Sequence, residues 1–487
     1  MNEFLKKNQK KIVGLLSYLF VAGVILLIWY VGLAQFQKDL RVMSSALLIV
    51  YAVYIVWWLA ATRSIKSIFF FFFCYCALTN AGQLLLYVFD MEIVGIVNSL
   101  LWATEAYMLK SVEFQMLCTV FMCTMALSAH TLHAPTAHSH EELKPLDLNE
   151  RSKYLSWCEV LFVLSGILYI FSNVARLGSR VDSTYLDAFN EGSAQGTSFI
   201  LMMTFYVTLY MSCVIHSDKR DKFRKYIVLI GVLVGVTNLL FGSRNVLIPL
   251  VFGLLFLWGD KLKTLSRGKK IGFSVLAILF LYLVGSFVNL RRMALSAITF
   301  DVLLDALFGA GLYDQLVLLV SEMGSSLRVL TSTMSLVDTG SVECEQTFLY
   351  TILKGIVPKV SILEFLGISE PERWRLSKWI TDLHGSNAGW GYSMFAEAYY
   401  NFRELGFLFM GAFGYFFAWL ECRMEKWYAQ GKTVMASGWL FLTTYMVFLA
   451  RADSLLITAR IRYVLYLAIV CWILRNRVRL PKLKMNL

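Results

Sequence analysis

The chain has 487 residues, of which 58% are hydrophobic and only 16% are charged, and its mean hydropathy is +0.62. Soluble proteins are about 45–50% apolar and about 25% charged, so a soluble fold could not hide this much apolar surface. The composition therefore indicates a polytopic membrane protein and excludes soluble enzymes, disordered scaffolds and secreted disulfide modules. The 45 Lys and Arg exceed the 33 Asp and Glu. They occur in short scattered clusters, which argues against a nucleic-acid partner.

Long apolar runs recur along the chain and predict transmembrane helices. The first run follows a Lys-rich N-terminus and ends at Leu33, and no small-residue cleavage site follows it, so we expect an uncleaved helix. Twelve runs predict an all-α fold with about twelve transmembrane helices and both termini on one side. The other eleven lie at 43–61, 67–89, 112–129, 155–172, 197–215, 226–241, 246–259, 271–288, 405–420, 433–449 and 455–474.

The basic residues predict the orientation of these helices. With a cytoplasmic N-terminus, more than half of the 45 Lys and Arg residues fall on the cytoplasmic side. The cytoplasmic connections nevertheless contain fewer residues in total than the outward ones. This is the bias that the positive-inside rule describes. The sequence therefore predicts that both termini face the cytoplasm and that the connection after the ninth helix faces outward.

The chain divides into three predicted regions. Residues 1–288 carry nine transmembrane helices, 289–404 form one large outward loop, and 405–487 carry three helices and a basic cytoplasmic tail. Within the loop, 301–322 combines apolar residues with four acids, which favours an amphipathic helix on the membrane surface. The alternative is that 301–322 and 347–367 are two further spans, which gives fourteen helices and preserves the orientation.

Eight arginines lie on the predicted outward side, where the positive-inside rule expects few. Each charge at bilayer depth costs roughly 2.5–3.5 kcal/mol on insertion scales. The planar, five-donor guanidinium suits a phosphate better than lysine does, so the group predicts a shared anionic ligand. The alternative is that each arginine reaches the outer headgroups or pairs with a nearby acid. The eight are Arg176, Arg180, Arg244, Arg291, Arg292, Arg451, Arg460 and Arg462.

Glu397 is the first candidate for a proton acceptor on the outward side. It lies four residues before Asn401, so the two share one helix face. In its aromatic surroundings a glutamate can hold a raised pKa and accept a proton. The alternative is a surface glutamate that pairs with Arg403 or Lys378.

His384 and Asp453 are the next candidate acids or bases. His384 lies in a glycine-rich stretch that predicts an irregular turn, and Asp453 follows Arg451 at an outward helix end. The alternative for Asp453 is a simple ion pair with Arg451. We find no Walker A loop, Rossmann glycine pattern, outward DxD pair, GxSxG or HExxH motif. A transferase of this type would use an activated, lipid-linked donor, with arginines in place of a metal and with no cofactor.

Four outward segments carry most of these residues. They are RLGSRVDSTYLDAFNEG (176–192), FGSRN (241–245), GWGYSMFAEAYYNFRELGFLF (389–409) and FLARADSLLITARIRY (448–463). In their order and predicted topology they resemble the O-antigen and enterobacterial common antigen polymerase family, the Wzy-type oligosaccharide repeat-unit polymerases. The resemblance covers roughly residues 155–475.

The resemblance implies a glycosyltransferase of the glycosyltransferase-C type in the bacterial inner membrane, with its active site facing the periplasm. Such enzymes transfer a glycan from undecaprenyl pyrophosphate to the non-reducing end of a lipid-linked repeat unit, without a metal. The arginines would then bind the diphosphate, and membrane lipids and a chain-length regulator protein would be partners. Trp390, Tyr399 and Asn401 are the predicted sugar contacts, and the alternative for the aromatic residues is anchoring at the membrane interface.

Three other functions fit parts of the pattern. An O-antigen ligase would use the same donor and a similar architecture. A polysaccharide flippase or secondary transporter would also have about twelve helices, but it predicts inverted repeats and charges near the bilayer midplane. Here no repeat is visible and the arginines gather at the outer helix ends. A structural membrane scaffold would not need them.

Overall fold

The computed structural model describes most of the chain. The described residues are 2–35, 39–62, 66–93, 98–134, 159–174, 197–217, 223–240, 247–263, 299–309, 311–357, 360–385 and 390–477, and also 266, 268, 269, 272 and 297. This part of the chain is built of helices joined by turns and contains no β-strand. The all-α class predicted from the sequence is therefore confirmed for it.

Within the described residues, eight helices precede the predicted outward loop. They are α1 (Asn2–Gln35), α2 (Leu40–Thr62), α3 (Ile68–Val88), α4 (Glu105–His133), α5 (Glu159–Val174), α6 (Thr197–Ile215), α7 (Arg224–Leu240) and α8 (Leu247–Lys263). Ten further helices follow. They are α9 (Phe300–Phe308), α10 (Leu312–Met323), α11 (Ser326–Asp338), α12 (Thr347–Ile356), α13 (Val360–Phe365), α14 (Leu376–Leu383), α15 (Met394–Phe402), α16 (Gly406–Ala429), α17 (Thr433–Met446) and α18 (Leu455–Arg477).

Among the described residues, five helical stretches are long and apolar enough to cross a bilayer. Shorter apolar helices accompany them, among them α5 and α12, and together they indicate a multi-pass membrane protein. The predicted run 271–288 lies almost entirely outside the described residues, so the count of twelve stays a prediction. The five stretches are Lys11–Gly32, Leu40–Thr62, Ile68–Val88, Glu105–His133 and Met394–Ala429.

The loop region differs from its predicted form in one respect. The expected single amphipathic helix over 301–322 is two helices, α9 and α10, separated at Gly309–Gly311. Residues 347–367 likewise form two helices, α12 of 10 residues and α13 of 6. A continuous helix needs about 20 residues to cross a bilayer, and each of these four helices is shorter than that; whether the two segments are further spans stays a prediction.

The chain forms two compact units. The first consists of Met1–Thr136, Val317–Arg423 and Met446–Leu456, and the second of Ala137–Leu316, Met424–Tyr445 and Ile457–Leu487. In the first unit α4 packs against α1 and α2, α3 packs against α2, and α11 packs against α3, α4 and α15. In the second unit α7 packs against α6 and α8.

A buried carboxylate fixes the start of α3 in the first unit. Glu421 of α16 accepts hydrogen bonds from the backbone N–H groups of Ile68 (2.7 Å) and Phe69 (3.2 Å) and from the Ser67 hydroxyl (3.0 Å). The free N–H groups of a helix N-terminus need acceptors, and a negative charge there is also stabilised by the helix dipole. Glu421 therefore orients α3 against α16.

Two glycines let α3 cross the turn between α10 and α11 at close range. A Cβ on Gly324 would lie 2.4 Å from the backbone nitrogen of Gln83, and one on Gly82 would lie 2.9 Å from the carbonyl oxygen of Val320. The Gln83 side chain donates to the carbonyl of Ser321 (2.8 Å). This crossing fixes where α11 begins.

A break in the helical path separates α17 from α18. A 3-10 turn, Val447–Ala450, follows α17, and α18 begins only at Leu455. The carbonyl of Ala450 accepts hydrogen bonds from Thr79 (3.2 Å) and Asn80 (3.3 Å) of α3. Such side-chain partners replace the backbone bonds that a broken helix loses within an apolar protein.

Candidate functional site

Trp390 is the centre of a group of cationic and aromatic side chains in the first unit. The Arg328 guanidinium carbon lies 3.7 Å from the centroid of the Trp390 ring, and the His384 ring stacks on Trp390 at 4.1 Å with an interplanar angle of 1°. Trp102 meets Trp390 edge to face at 5.0 Å, and its own ring lies 5.4 Å from the Arg328 guanidinium. Residues from α11, α14 and the segments before α4 and α15 therefore converge here.

Arg328 is a buried cation in this group. It is only 7% exposed, and its Nε has no hydrogen-bond partner in the described part of the chain. Burial and, to a smaller extent, the nearby positive charge of Arg451 together lower the pKa of Arg328 to about 10. Contact with the electron-rich faces of the tryptophans offsets part of the cost of burying this charge.

Arg451 lies in the break between α17 and α18 and reaches the turn that precedes α11. Its Nη1 donates to the carbonyl of Glu322 at 3.2 Å, and its Nη2 donates to the Ser325 hydroxyl at 3.3 Å. The predicted alternative of an Arg451–Asp453 ion pair is wrong, because the guanidinium bonds these neutral oxygens instead. A half-buried arginine held by neutral acceptors keeps its full positive charge available for a ligand.

Gly391 lets the Trp390 segment approach Arg451 closely. Gly391 has φ +72°, which an L side chain rarely adopts, and a Cβ there would lie 3.2 Å from the carbonyl oxygen of Arg451. The backbone N–H of Tyr392 donates to the same carbonyl at 3.4 Å. The glycine-rich stretch noted in the sequence is therefore required for this contact.

Glu397 is buried and bound to the start of α18. It is 1% exposed, and its two carboxylate oxygens accept hydrogen bonds from the backbone N–H of Ser454 (2.7 Å) and the Ser454 hydroxyl (2.5 Å). The alternative of a surface glutamate paired with Arg403 or Lys378 is therefore wrong. In this geometry a substrate hydroxyl would have to displace the Ser454 hydroxyl to reach Glu397.

Asp453 precedes Ser454 and is buried as well. Its Oδ2 accepts a hydrogen bond from the backbone N–H of Ser377 in the first turn of α14, at 3.0 Å. Burial raises the pKa of Asp453 to about 6, against the opposing effect of backbone N–H donors. Glu397 and Asp453 thus join the helix break to α15 and α14.

His384 is the predicted acid or base with a free ring nitrogen. Its Nε2 has no hydrogen-bond partner in the described part of the chain. Burial lowers the pKa of His384, and the Arg328 charge lowers it further. A neutral imidazole near the Arg328 charge can accept a proton at neutral pH.

Two of the predicted sugar contacts are engaged elsewhere in the first unit. The Tyr399 hydroxyl lies 2.6 Å from a carboxylate oxygen of Asp338 and 3.1 Å from one of Glu404. The Asn401 side chain accepts from the backbone N–H of Phe348 at 3.1 Å and so caps the start of α12. Both residues hold helices together here, and their sugar-binding role stays a prediction.

Three of the eight predicted outward arginines lie within the described residues. Arg451 lies in the first unit, and Arg460 lies in the second, buried with its guanidinium 4.3 Å from the Tyr445 ring. Arg462 is half-buried in α18. The remaining predicted diphosphate ligands, which lie outside the described residues, are Arg176, Arg180, Arg244, Arg291 and Arg292.

Arg328 was missed from the sequence because it lies far from every predicted span end. The available signal was its neighbourhood. In SSLRVLTSTMSLVD (325–338) it is the only basic residue among apolar and hydroxyl side chains, on the side of the membrane where few arginines are expected. The described residues contain no group of three or more His, Cys, Asp or Glu that could hold a metal ion.

Among the described residues, the site combines two arginines that bond no carboxylate, a histidine whose pKa is lowered and an exposed tryptophan, a set that suits an anionic sugar derivative. The family model for O-antigen polysaccharide polymerase Wzy matches residues 16–479, nearly the whole chain. Comparisons with curated proteins and with solved structures give no significant match. Members of the matching family are polymerising glycosyltransferases that act on lipid-linked oligosaccharide units. The chain therefore belongs to the O-antigen polysaccharide polymerase Wzy family.

Proposed function

We propose that this protein joins lipid-linked oligosaccharide repeat units on the outer face of the bacterial inner membrane. The donor glycan leaves undecaprenyl pyrophosphate and is added to the non-reducing end of an acceptor repeat unit. The observation that supports this reaction best is Arg451, a cation in a helix break whose bonds go to the neutral oxygens of Glu322 and Ser325. An anionic leaving group supplies the charge that this site lacks.

The chemistry needs charge stabilisation and one proton acceptor. An acceptor hydroxyl oxygen attacks C1 of the donor sugar, the bond from C1 to the diphosphate oxygen breaks, and the diphosphate leaves with the electron pair. Arginine donors aimed at those oxygens stabilise the charge as it develops. They also hold the donor in position for attack. The reaction proposed here uses these cations and no metal.

We assign the proton acceptor to His384, which the sequence ranked behind Glu397. The Nε2 of His384 has no hydrogen-bond partner in the described residues, whereas both oxygens of Glu397 are bound by Ser454. Glu397 and Asp453 then act as positioning residues, because they hold the break that carries Arg451. For Asp453 to act as the base, its hydrogen bond from the backbone N–H of Ser377 would have to break.

The remaining expectations complete the proposal. Both termini face the cytoplasm and the region 289–404 faces outward, so that the site opens to the periplasm. Arg176, Arg180, Arg244, Arg291, Arg292 and Arg460 contribute further contacts to diphosphates or to outer headgroups. A chain-length regulator protein sets how many units are joined.

The test is deletion of the gene in the native organism, followed by gel analysis of the surface polysaccharide. We expect the ladder to collapse to a single repeat unit and to return with the wild-type gene. Arg451→Ala should fail to restore it, whereas Arg375→Ala, which alters an exposed arginine on the Trp374 ring, should restore it.

Each other outcome identifies a different function. Accumulation of lipid-linked polymer, with loss of all surface glycan, would indicate a ligase. Single units trapped on the cytoplasmic face would indicate a flippase. An unchanged ladder would exclude the polymerase function altogether.

A further inference from the structure

Arg328 is a buried charged group with no carboxylate partner among the described residues. Its Nε has no hydrogen-bond partner in the described part of the chain, and the side chain is 7% exposed. The described residues place no carboxylate within ion-pair distance, and the charge of Glu322 acts on it only through space. An unpaired buried charge costs several kcal/mol, so a site that keeps one is suited to a ligand of opposite charge.

The geometry brings Arg328 and Arg451 to the same place. The Arg451 guanidinium bonds the hydroxyl of Ser325, three residues before Arg328. Arg328 rests on the ring of Trp390, and the next residue, Gly391, lies against the Arg451 backbone and side chain. Arg328 and Arg451 are thus brought together by the Ser325 turn and by the Trp390–Gly391 segment. Two positive charges held in this way repel each other, and an anion bound between them would offset the repulsion.

Trp390 and Trp102 add an aromatic surface to the positive charge of this site. The Arg328 guanidinium carbon lies 3.7 Å from the centroid of the Trp390 ring, and its Nε has no hydrogen-bond partner among the described residues, so this N–H can donate to an oxygen atom of a ligand. Trp102 meets Trp390 edge to face and is 44% exposed. An exposed aromatic ring beside a cationic site offers the apolar surface on which a sugar ring packs.

We propose that Arg328 and Arg451 together bind one anionic group of the substrate and that the exposed ring of Trp102 packs against the sugar attached to it. This assignment rests on the proposed polymerase function and deepens it, since it names a substrate contact outside the outward arginine set. The anionic group is either the diphosphate of the lipid-linked donor or the carboxylate of an acidic sugar in the repeat unit. Both present the oxygen pairs that a guanidinium binds with two hydrogen bonds.

The test measures ligand binding by the purified full-length protein in nanodiscs of uncharged lipid, by titration calorimetry. The probes are inorganic pyrophosphate, glucuronate and glucose 1-phosphate. The variants are Arg328→Gln, Arg328→Lys, Trp102→Ala and the control Arg375→Gln, an arginine stacked on Trp374 outside the site. Arg328→Lys keeps the positive charge, so it controls for a loss of folding caused by removing that charge.

We expect Arg328→Gln to weaken pyrophosphate binding at least tenfold, Arg328→Lys to weaken it less, and Arg375→Gln to leave it unchanged. Trp102→Ala should weaken glucose 1-phosphate binding several-fold and leave pyrophosphate binding unchanged. Arginine-dependent binding of glucuronate in place of pyrophosphate assigns the site to an acidic sugar.

Two results would overturn the assignment. One is wild-type protein that binds neither pyrophosphate nor glucuronate. The other is binding that neither Arg328 variant alters. A normal polysaccharide ladder in a deletion strain that carries Arg328→Gln would also exclude the proposed Arg328 contact, while leaving the proposed polymerase function intact. The polymerase function itself is tested separately, by the ladder of the deletion strain without any copy of the gene.

Discussion

Glu397 of α15 binds Ser454 at the start of α18 through both carboxylate oxygens, at 2.7 and 2.5 Å. The Ser454 hydroxyl also lies 2.8 Å from that of Thr351 in α12. Three helices therefore meet at one buried serine, three residues after Arg451. The position of the candidate anion-binding arginine depends on this junction.

The first prediction concerns that junction. Glu397→Gln replaces one acceptor oxygen with an N–H donor and leaves one Ser454 donor without a good acceptor. A buried donor left without its acceptor costs about 1–3 kcal/mol, so we expect a lower melting temperature. Ser454→Ala should lower it as well, and the double variant should lose less than the sum because the two residues share one interaction. Additive losses would contradict the shared junction, and Glu372→Gln, at an exposed surface pair, is the control.

The second prediction concerns the crossing of α3. Gly324→Ala would place a Cβ 2.4 Å from the backbone nitrogen of Gln83, and backbone atoms cannot move aside as a flexible side chain can. We expect overpacking to cost about 3 kcal/mol and to lower both the melting temperature and the yield of folded protein. Gly23→Ala is the matched control, since a Cβ there meets nothing within 4 Å in a helix. Equal melting temperatures for the two variants would exclude the close crossing.

The third prediction concerns pH and Asp453. Burial raises the pKa of Asp453 from 3.8 to about 6, so the folded protein binds this proton more tightly than the unfolded chain. The stability that this proton provides is complete below pH 4 and is lost as the pH rises through 6, by about 3 kcal/mol at most.

Asp453→Asn removes the buried charge and should raise the melting temperature at pH 8, with the gain vanishing below pH 4. The exposed carboxyl of Asp301 provides the control variant, Asp301→Asn. A melting-temperature difference between wild type and Asp453→Asn that stays constant across this range would show that Asp453 is not held protonated.

The fourth prediction concerns the proposed proton acceptor. Burial and the Arg328 charge lower the pKa of His384, so the neutral base persists below pH 6.5. We expect polymerisation by the wild-type protein to stay constant at neutral pH and to fall only at a more acid pH. His384→Gln should abolish it with little change in melting temperature.

Arg328→Gln should move this acid limb to higher pH, because it removes the charge that lowers the pKa of His384. The measurement is the initial rate of polymer formation against pH. An acid limb that Arg328→Gln leaves in place would show that the titrating group is not His384.

The sequence predicted the helices more successfully than the site. Hydropathy alone located α3 to within a residue at each end, because the apolar residues of a bilayer-spanning helix are consecutive in the sequence. It also selected Arg451, His384 and Glu397 as candidate site residues, and their roles stay predictions. It could not show that Glu397 is bound by Ser454, because that contact joins residues 57 positions apart.

Arg328 marks the limit of sequence reasoning here. Its role depends on Trp102 and Trp390, which lie hundreds of positions apart in the chain and meet only in the fold. Position relative to the predicted span ends selected the other arginines, and that criterion passes over a cation inside the long loop. Burial, together with the lack of an anionic partner in the part of the chain that the structure describes, identifies it instead.

The measurement that tests the central claim most directly is polymerisation by the purified protein. The wild-type protein in nanodiscs is given lipid-linked single repeat units from the native organism, and the products are separated by size. We predict a ladder of lipid-linked oligomers with release of undecaprenyl pyrophosphate, and no ladder with Arg451→Ala. Single units that remain unjoined by folded wild-type protein, or a ladder unchanged by Arg451→Ala, would contradict this account.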